Sequence, residues 1–343
     1  MEALISSLSR QRVIGVNHAS DVAAARRAGQ KLADALGFGD TRGGQLALII
    51  TEAATNILKH GGGGRLYLDV AQSAAGPGVD VLAVDAGPGI ADLATSLRDG
   101  VSTTGTAGTG LGALRRLSDL FDVYSVRGNG AAFFMRLWRD TPGPQACGVE
   151  AGALCVPLAG EEECGDGWAV SCDPAGATLL AADGLGHGPD AARASAAAIA
   201  ALEQRPGQQA GELLASCHEA LRATRGAALA AARIDFGADE LRFAGIGNIG
   251  AAVFDGAGRR ALVSHNGIVG HNMRKVQEFA VPFPPGALCI LHSDGVQTQW
   301  DLDRYPGLQA RSPALVAAML MRDFIRPRDD AMVLAVRRPG VPA

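Results

Sequence analysis

Asp183 follows the apolar run Ala177 to Leu180 and opens Asp183-Gly184-Leu185-Gly186-His187-Gly188, a turn in which glycine takes every second place. Such glycines let the backbone approach a ligand closely and leave a carbonyl exposed for coordination. Asp166 lies in Gly165-Asp166-Gly167, at an expected strand end. Asp294 lies in Ser293-Asp294-Gly295, behind the apolar run Ala287 to Leu291, and Asp329-Asp330 opens the last such run, Ala331 to Val336. Carboxylates that end several strands of one domain repel one another unless a cation neutralises them. Hard oxygen donors of this kind suit Mg²⁺ or Mn²⁺. His187 fits a general acid, and it fits equally a turn histidine bonded to its own loop.

A second set lies in the first half. Glu52, Asn56 and Lys59-His60 recur at helical spacing, so one helical face presents a carboxylate and an amide together. Asp85-Ala86-Gly87-Pro88-Gly89-Ile90 follows an apolar run directly. Gly108-Thr109-Gly110-Leu111-Gly112 precedes a helical stretch, an arrangement in which backbone N–H groups can meet phosphate.

The elements that must hold these residues follow from periodicity. Arg12 to Val16 predicts a strand, Asp21 to Leu36 a helix closed by Gly37, and Thr41 to His60 a second helix ended by the glycines at 61–64. Leu66 to Val70, Val79 to Val84, Val123 to Val126 and Ala131 to Leu137 read as strands. Asp140-Thr141-Pro142-Gly143-Pro144-Gln145 breaks both patterns and marks a boundary, giving domains at 1–139 and 151–340 with a linker at 140–150. Beyond it, Leu154 to Leu158, Trp168 to Cys172, Ala227 to Asp235, Glu240 to Gly245 and Ala251 to Asp255 read as strands. Helices are expected at Ala191 to Leu202, Gly211 to Ala223 and Pro313 to Ile325. Helices flanking two runs of strands fit an α-β-β-α sandwich, so the fold class is α/β (α+β) throughout.

At 343 residues and 48% apolar content the chain can bury two cores, and a net charge of −4 argues against a nucleic-acid or membrane surface. No run reaches the length of an apolar span, and Met1-Glu2-Ala3-Leu4-Ile5 lacks the basic start of a signal peptide. Cys147, Cys155, Cys164, Cys172, Cys217 and Cys289 form no CxxC pair and are expected as buried thiols in a reducing cytoplasm.

Gly-Asp, Asp-Gly-x-Gly-His-Gly, Ser-Asp-Gly and Asp-Asp, in this order from about Cys155 to Arg338, resemble the SpoIIE-like branch of the PPM metal-dependent protein phosphatases. The resemblance implies that Asp183 bridges two Mn²⁺ or Mg²⁺ ions, that the Gly184 carbonyl assists one of them, and that Asp166, Asp294 and Asp329 complete the set. Gly245-Ile246-Gly247-Asn248-Ile249-Gly250 resembles a segment near the active centre of that branch, read first as a structural turn, with a phosphate contact as the alternative. Met332 stands where the branch often has Thr.

Over about Arg10 to Trp138, Glu-x-x-x-Asn, Asp-x-Gly-x-Gly and the later glycine series resemble the GHKL (Bergerat) ATP-binding α/β sandwich, above all the small anti-sigma-factor switch kinases. That implies ATP with Mg²⁺ held by Asn56, the adenine amino group met by Asp85, and a pocket shaped by Gly87 and Gly89. Gly108, Gly110 and Gly112 would wrap the phosphates, and Glu52 would act as general base. Taken together the resemblances imply a metal-dependent serine/threonine phosphatase joined to a switch kinase. Their substrate would be a phosphorylated STAS-domain or other anti-sigma pathway protein, and a homodimer stays open. The alternative makes the ATP-binding part a docking module, gated by nucleotide, that transfers no phosphate.

Overall fold

The computed structural model describes residues 3–6, 11–73, 76–97, 110–140, 147–273 and 276–340. Gly108 and the Thr-rich stretch 101–107 lie outside these residues, as do 141–146 of the expected linker. The chain divides into two compact units, one of Gln11–Pro144 with Leu302–Met319, the other of Met1–Arg10, Gln145–Asp301 and Leu320–Ala343.

The first strand, β1 (Ala3–Ser6), belongs to a sheet of the second of these units. The other unit starts with β2 (Arg12–Val16), α1 (Ala19–Ala35) and α2 (Asp40–Asn56). Asp21 starts α1 by accepting the N–H groups of Asn17 (2.9 Å) and His18 (2.8 Å). Past Asn56 the helix widens into a π-helical turn, Ile57–Gly61, which Gly62 ends in a left-handed conformation at φ 70°. Then come β3 (Gly64–Ser73), β4 (Gly76–Asp85), the short α3 (Leu93–Ser96), α4 (Leu111–Leu117), β5 (Leu120–Ser125) and β6 (Ala131–Trp138). The strands form an antiparallel sheet in the order β2-β3-β4-β6-β5. Every second residue of its strands (Leu66 and Leu68, Val79, Val81 and Ala83, Phe133 and Met135) packs on Leu46, Ile49, Ile50 and Ala53 of α2. That packing holds α2 along the sheet and fixes where Glu52 and Asn56 stand.

The second unit carries β7 (Glu150–Val156), β8 (Asp166–Asp173), β9 (Gly176–Gly184), α5 (Pro189–Gln204) and α6 (Ala210–Ala220). It continues with β10 (Ala227–Asp235), β11 (Glu240–Ile246), β12 (Gly250–Asp255), β13 (Gly258–Leu262), β14 (Phe279–Pro282) and β15 (Leu288–His292). Helix α7 (Pro313–Phe324) and β16 (Ala331–Arg337) end it, the unit division falling within α7. One sheet runs β1-β8-β9-β10-β11-β14 and the other β13-β12-β15-β16-β7.

The two sheets share one core. Trp168 and Val170, Leu179 and Ala181 from one meet Cys289 and Leu291, Met332 and Leu334 from the other. Outside the first sheet, α5 and α6 cover Ala169, Leu180, Ala182 and Leu229. Cys147 and Cys172, expected as thiols, are joined by a disulfide with Cα atoms 5.4 Å apart, whereas Cys155, Cys164, Cys217 and Cys289 stay thiols, as expected. Sequence spacing carries no sign of that pair, because β8 and the segment before β7 meet only in the folded sandwich. No helix among the described residues is long and apolar enough to cross a membrane.

Candidate functional site

Strand parity builds the first site. Side chains alternate across a sheet, so the inward series Trp168, Val170, Cys172 extends back to Asp166, and Ala177, Leu179, Ala181 extends forward to Asp183. By the same count the inward series of β15 reaches Ser293, and that of β16 reaches back to Asp330. The apolar core therefore gives way to polar side chains on all four strands. Asp166 and Asp183 stand directly opposite one another in the β8–β9 register, the placement in which like charges destabilise a sheet.

The electrostatics follow. Burial first, then Asp183 and Cys164, pushes the Asp166 carboxyl well above the usual carboxylate range. Burial, then Asp294 and Asp329, pushes Asp183 up to about 7. Burial and Asp329 likewise raise Asp294. One oxygen of Asp166 is bonded by the Ser293 hydroxyl, while its Oδ2 is buried with no partner. An orphaned carboxylate oxygen in a crowd of carboxylates is the deficit that a cation removes.

The donor set thus suits a divalent ion, but it is not closed into a cage. Among the described residues no three His, Cys, Asp or Glu side chains already meet in a metal-binding group. Neighbours hold the carboxylates instead: Asn248 Nδ2 donates to Asp294 Oδ2 at 2.5 Å, and the Asp294 N–H bonds Asp183.

Backbone packing fixes the surrounding turns. A Cβ on Gly184 would run into the Ala191 carbonyl oxygen, so glycine here lets α5 close on the strand end. Gly186 and Gly188 take positive φ (88° and 72°), which frees the turn into Pro189 at the start of α5. Asp330 is 2% exposed, and its carboxylate accepts the N–H groups of Leu158 (2.6 Å) and Gly165 (2.8 Å). It therefore clamps the loop that delivers Asp166. At the level of sequence the Asp329-Asp330 pair gives Asp330 no task. His187 bonds Glu161 Oε1 through Nδ1 at 2.7 Å, outside its own turn.

The second site lies on α2 and the glycine loops. Glu52 and Asn56 are one turn apart on α2. Burial raises the Glu52 carboxyl, opposed by Lys59 and His60. Asn56 Nδ2 is buried with no partner. Asp85 is 7% exposed, and its Oδ1 accepts the N–H groups of Gly87 (2.8 Å) and Ala131 (3.3 Å). Gly61 touches it closely: a Cβ there would sit 2.5 Å from the Asp85 Cβ. Gly87 packs on Gly61, and Gly89, at φ 67°, packs on the Val126 carbonyl. Gly110 precedes α4 and Gly112 is buried within it.

A helix-backed antiparallel sheet presenting Glu52, Asn56 and Asp85, and a double sheet whose inner strands end in carboxylates, define the class: a nucleotide-type sandwich and a PPM-type sandwich in one chain. Two family models match, the histidine kinase-like ATPase domain over residues 16–137 and Stage II sporulation protein E (SpoIIE) over residues 173–339. The second span includes Asp183, Asp294 and Asp329 and begins after Asp166.

Serine/threonine-protein kinase RsbT of Bacillus subtilis is 36% identical over 118 residues, 34% of this chain and 89% of the relative. Phosphoserine phosphatase RsbX of the same organism is 24% identical over 138 residues, 40% of this chain and 69% of the relative. Its structure is known in complex with magnesium (19% identity, TM-score 0.47, 55% of this chain and 94% of that one). A solved chain from the bacterial stressosome, a modular system adapted to control secondary messenger signalling, is 30% identical at a TM-score of 0.52, covering 55% of this chain and 99% of that one. Residues 16–137 belong to the RsbT-like family of histidine kinase-like ATPase domains, and the same chain carries a region, residues 173–339, that matches the SpoIIE family model.

Proposed function

We propose that the chain sets the phosphorylation state of a partner-switching protein in a sigma-factor pathway, an STAS-domain protein phosphorylated on serine or threonine. The observation that carries this reading is the cross-strand pair of buried Asp166 and half-buried Asp183, one oxygen of which has no partner, beside Asp294. Asp183 would span two Mn²⁺ or Mg²⁺ positions, with the Gly184 carbonyl, Asp166, Asp294 and Asp329 completing the donors. Such ions supply positive charge for the phosphoryl oxygens and activate water for in-line attack. The chain's own part is orientation: Asn248 holds Asp294, Ser293 holds Asp166, and Asp330 locks the loop before it. His187, already engaged by Glu161, needs no proton-transfer role in this scheme.

For the ATP-binding domain we propose residues 1–139, of which Ala3–Ser6 pair with β8 in the sheet of the other domain, followed by a linker at 140–150 and the phosphatase domain at 151–340. Turning the Asn56 amide over would put an oxygen at the buried, unpartnered position, where it could meet Mg²⁺ on a triphosphate. Asp85, Gly87 and Gly89 form the adenine end, and Gly108, Gly110 and Gly112 the phosphate end. Glu52, its carboxyl raised by burial, would accept the hydroxyl proton of the partner. The docking reading is favoured by one observation, the lack of any Lys or Arg in 101–107 to meet the triphosphate.

The test presents the full chain with a phosphoserine STAS protein and Mn²⁺, and separately with the unphosphorylated protein and γ-labelled ATP. Phosphate release that needs metal supports the phosphatase, and label on the partner supports the kinase. Nucleotide binding without label transfer selects docking. Release that persists undiminished in EDTA overturns the metal assignment.

A further inference from the structure

His292 and Trp300 belong to neither motif, yet they are buried directly behind the metal site. His292 is 3% exposed and Trp300 1%. The indole Nε1–H donates to His292 Nε2 at 3.1 Å, and His292 Nδ1 lies 2.8 Å from the Ser293 carbonyl oxygen. An indole nitrogen only donates and a carbonyl only accepts. Both contacts are satisfied together by one form of the ring alone, the neutral imidazole carrying its proton on Nδ1. Each residue is also fixed from outside. A Cβ on Gly250, the cross-strand partner of His292, would collide with the imidazole. The Arg259 guanidinium lies 4.5 Å from the Trp300 ring centroid and donates to the Trp300 carbonyl at 3.1 Å.

What this pair holds is Ser293. The Ser293 hydroxyl accepts the Met332 N–H at 2.9 Å and bonds the Asp166 carboxylate, and the next residue is Asp294. We propose that Trp300 and His292 are positioning residues for the divalent metal. By anchoring the Ser293 carbonyl they set the turn that aims Asp294 and the hydroxyl that orients Asp166. Two of the proposed donors then depend on one buried hydrogen-bond chain, Trp300 to His292 to Ser293 to Asp166. Removing partners one shell behind a metal ligand typically lowers affinity 10–100-fold.

The inference rests on the metal reading above, and the experiment separates the two. Mn²⁺ is titrated calorimetrically into the full chain and into His292→Leu, His292→Asn and Trp300→Phe, each also melted in EDTA. His292→Leu removes the donor to Ser293 and should weaken Mn²⁺ binding at least tenfold. His292→Asn keeps an N–H near the Nδ1 position and should recover most of that loss. Trp300→Phe keeps an aromatic body, removes the N–H, and should cost severalfold. A packing role alone would lower the EDTA melting temperature without this ordering of affinities. If His292→Leu does not fold, the His292→Asn and Trp300→Phe pair decides. Parent-like affinity in Trp300→Phe, together with no recovery in His292→Asn, overturns the inference. Failure of the parent chain to bind Mn²⁺ overturns the metal reading itself.

Discussion

The two sites bring carboxylates into opposite circumstances. In the SpoIIE-type domain Asp166, Asp183, Asp294 and Asp330 gather at strand ends, and burial and mutual repulsion raise all four carboxyls. In the ATPase-type domain Glu52 and Asp85 stand apart. Asp85 is held by the N–H groups of Gly87 and Ala131, and Glu52 has Lys59 and His60 to offset its burial. The first arrangement is electrostatically incomplete without cations. The second is nearly satisfied as it stands, leaving one buried amide nitrogen on Asn56. Under the proposed function the contrast separates the two ligands: a metal would complete the charge balance of one domain, whereas a nucleotide would add to a site already nearly balanced.

That contrast orders the expected effects of substitution. Asp183→Asn removes the carboxylate nearest the most others. It should lower metal-dependent hydrolysis of p-nitrophenyl phosphate roughly a thousandfold, equivalent to about 4 kcal/mol in the barrier. Activity within tenfold of the parent would break the first half of the comparison.

Asp330→Ala should act on stability before chemistry. It leaves the Leu158 and Gly165 N–H groups without an acceptor, a loss of about 3 kcal/mol for one half-buried and one buried donor. The urea midpoint of the metal-free chain should fall accordingly. An unmoved midpoint would show that water replaces the carboxylate and that the clamp is dispensable.

The smallest effect belongs to the other site. Asn56→Ala should weaken Mg-ATP binding about tenfold, some 1.4 kcal/mol, and leave phosphatase activity toward p-nitrophenyl phosphate unchanged. Equal affinity with and without the amide would mean that the buried nitrogen faces no nucleotide.

Much of this architecture was legible in the residues. Arg12 to Val16 and Ala227 to Asp235 begin and end as strands where their apolar patterns do. α2 ends at Asn56, four residues before the expected helix end at His60, because the chain widens there into the π-helical turn Ile57–Gly61 that packs against Asp85. β1, only Ala3–Ser6, could not be read, because its partners Ala169 to Cys172 lie far along the chain. The short edge strands Gly258–Leu262 and Phe279–Pro282 are too brief to show a period. At the proposed metal site the Asp-Gly spellings point to the carboxylates that the strand ends bring together, since coordination needs acids beside flexible backbone. The residues that hold them were less legible: Asn248 lies in a glycine-rich segment whose bond to Asp294 only the fold reveals, and Ser293, His292 and Trp300 act through hydrogen bonds that no spacing announces. The Cys147–Cys172 bond was hidden for the same reason.

The central claim is that the strand-end carboxylates await cations, and calorimetric titration of Mn²⁺ into the full chain tests it most directly. Burial and the neighbouring carboxylates put Asp183 at about 7, so at pH 5.5 a bound proton must leave before a metal can enter, and at pH 8 it need not. The account predicts two Mn²⁺ per chain at pH 8, with affinity falling and proton release rising as the pH is lowered through 7. Absence of Mn²⁺ binding at pH 8, or an affinity indifferent to pH between 5.5 and 8, would contradict it.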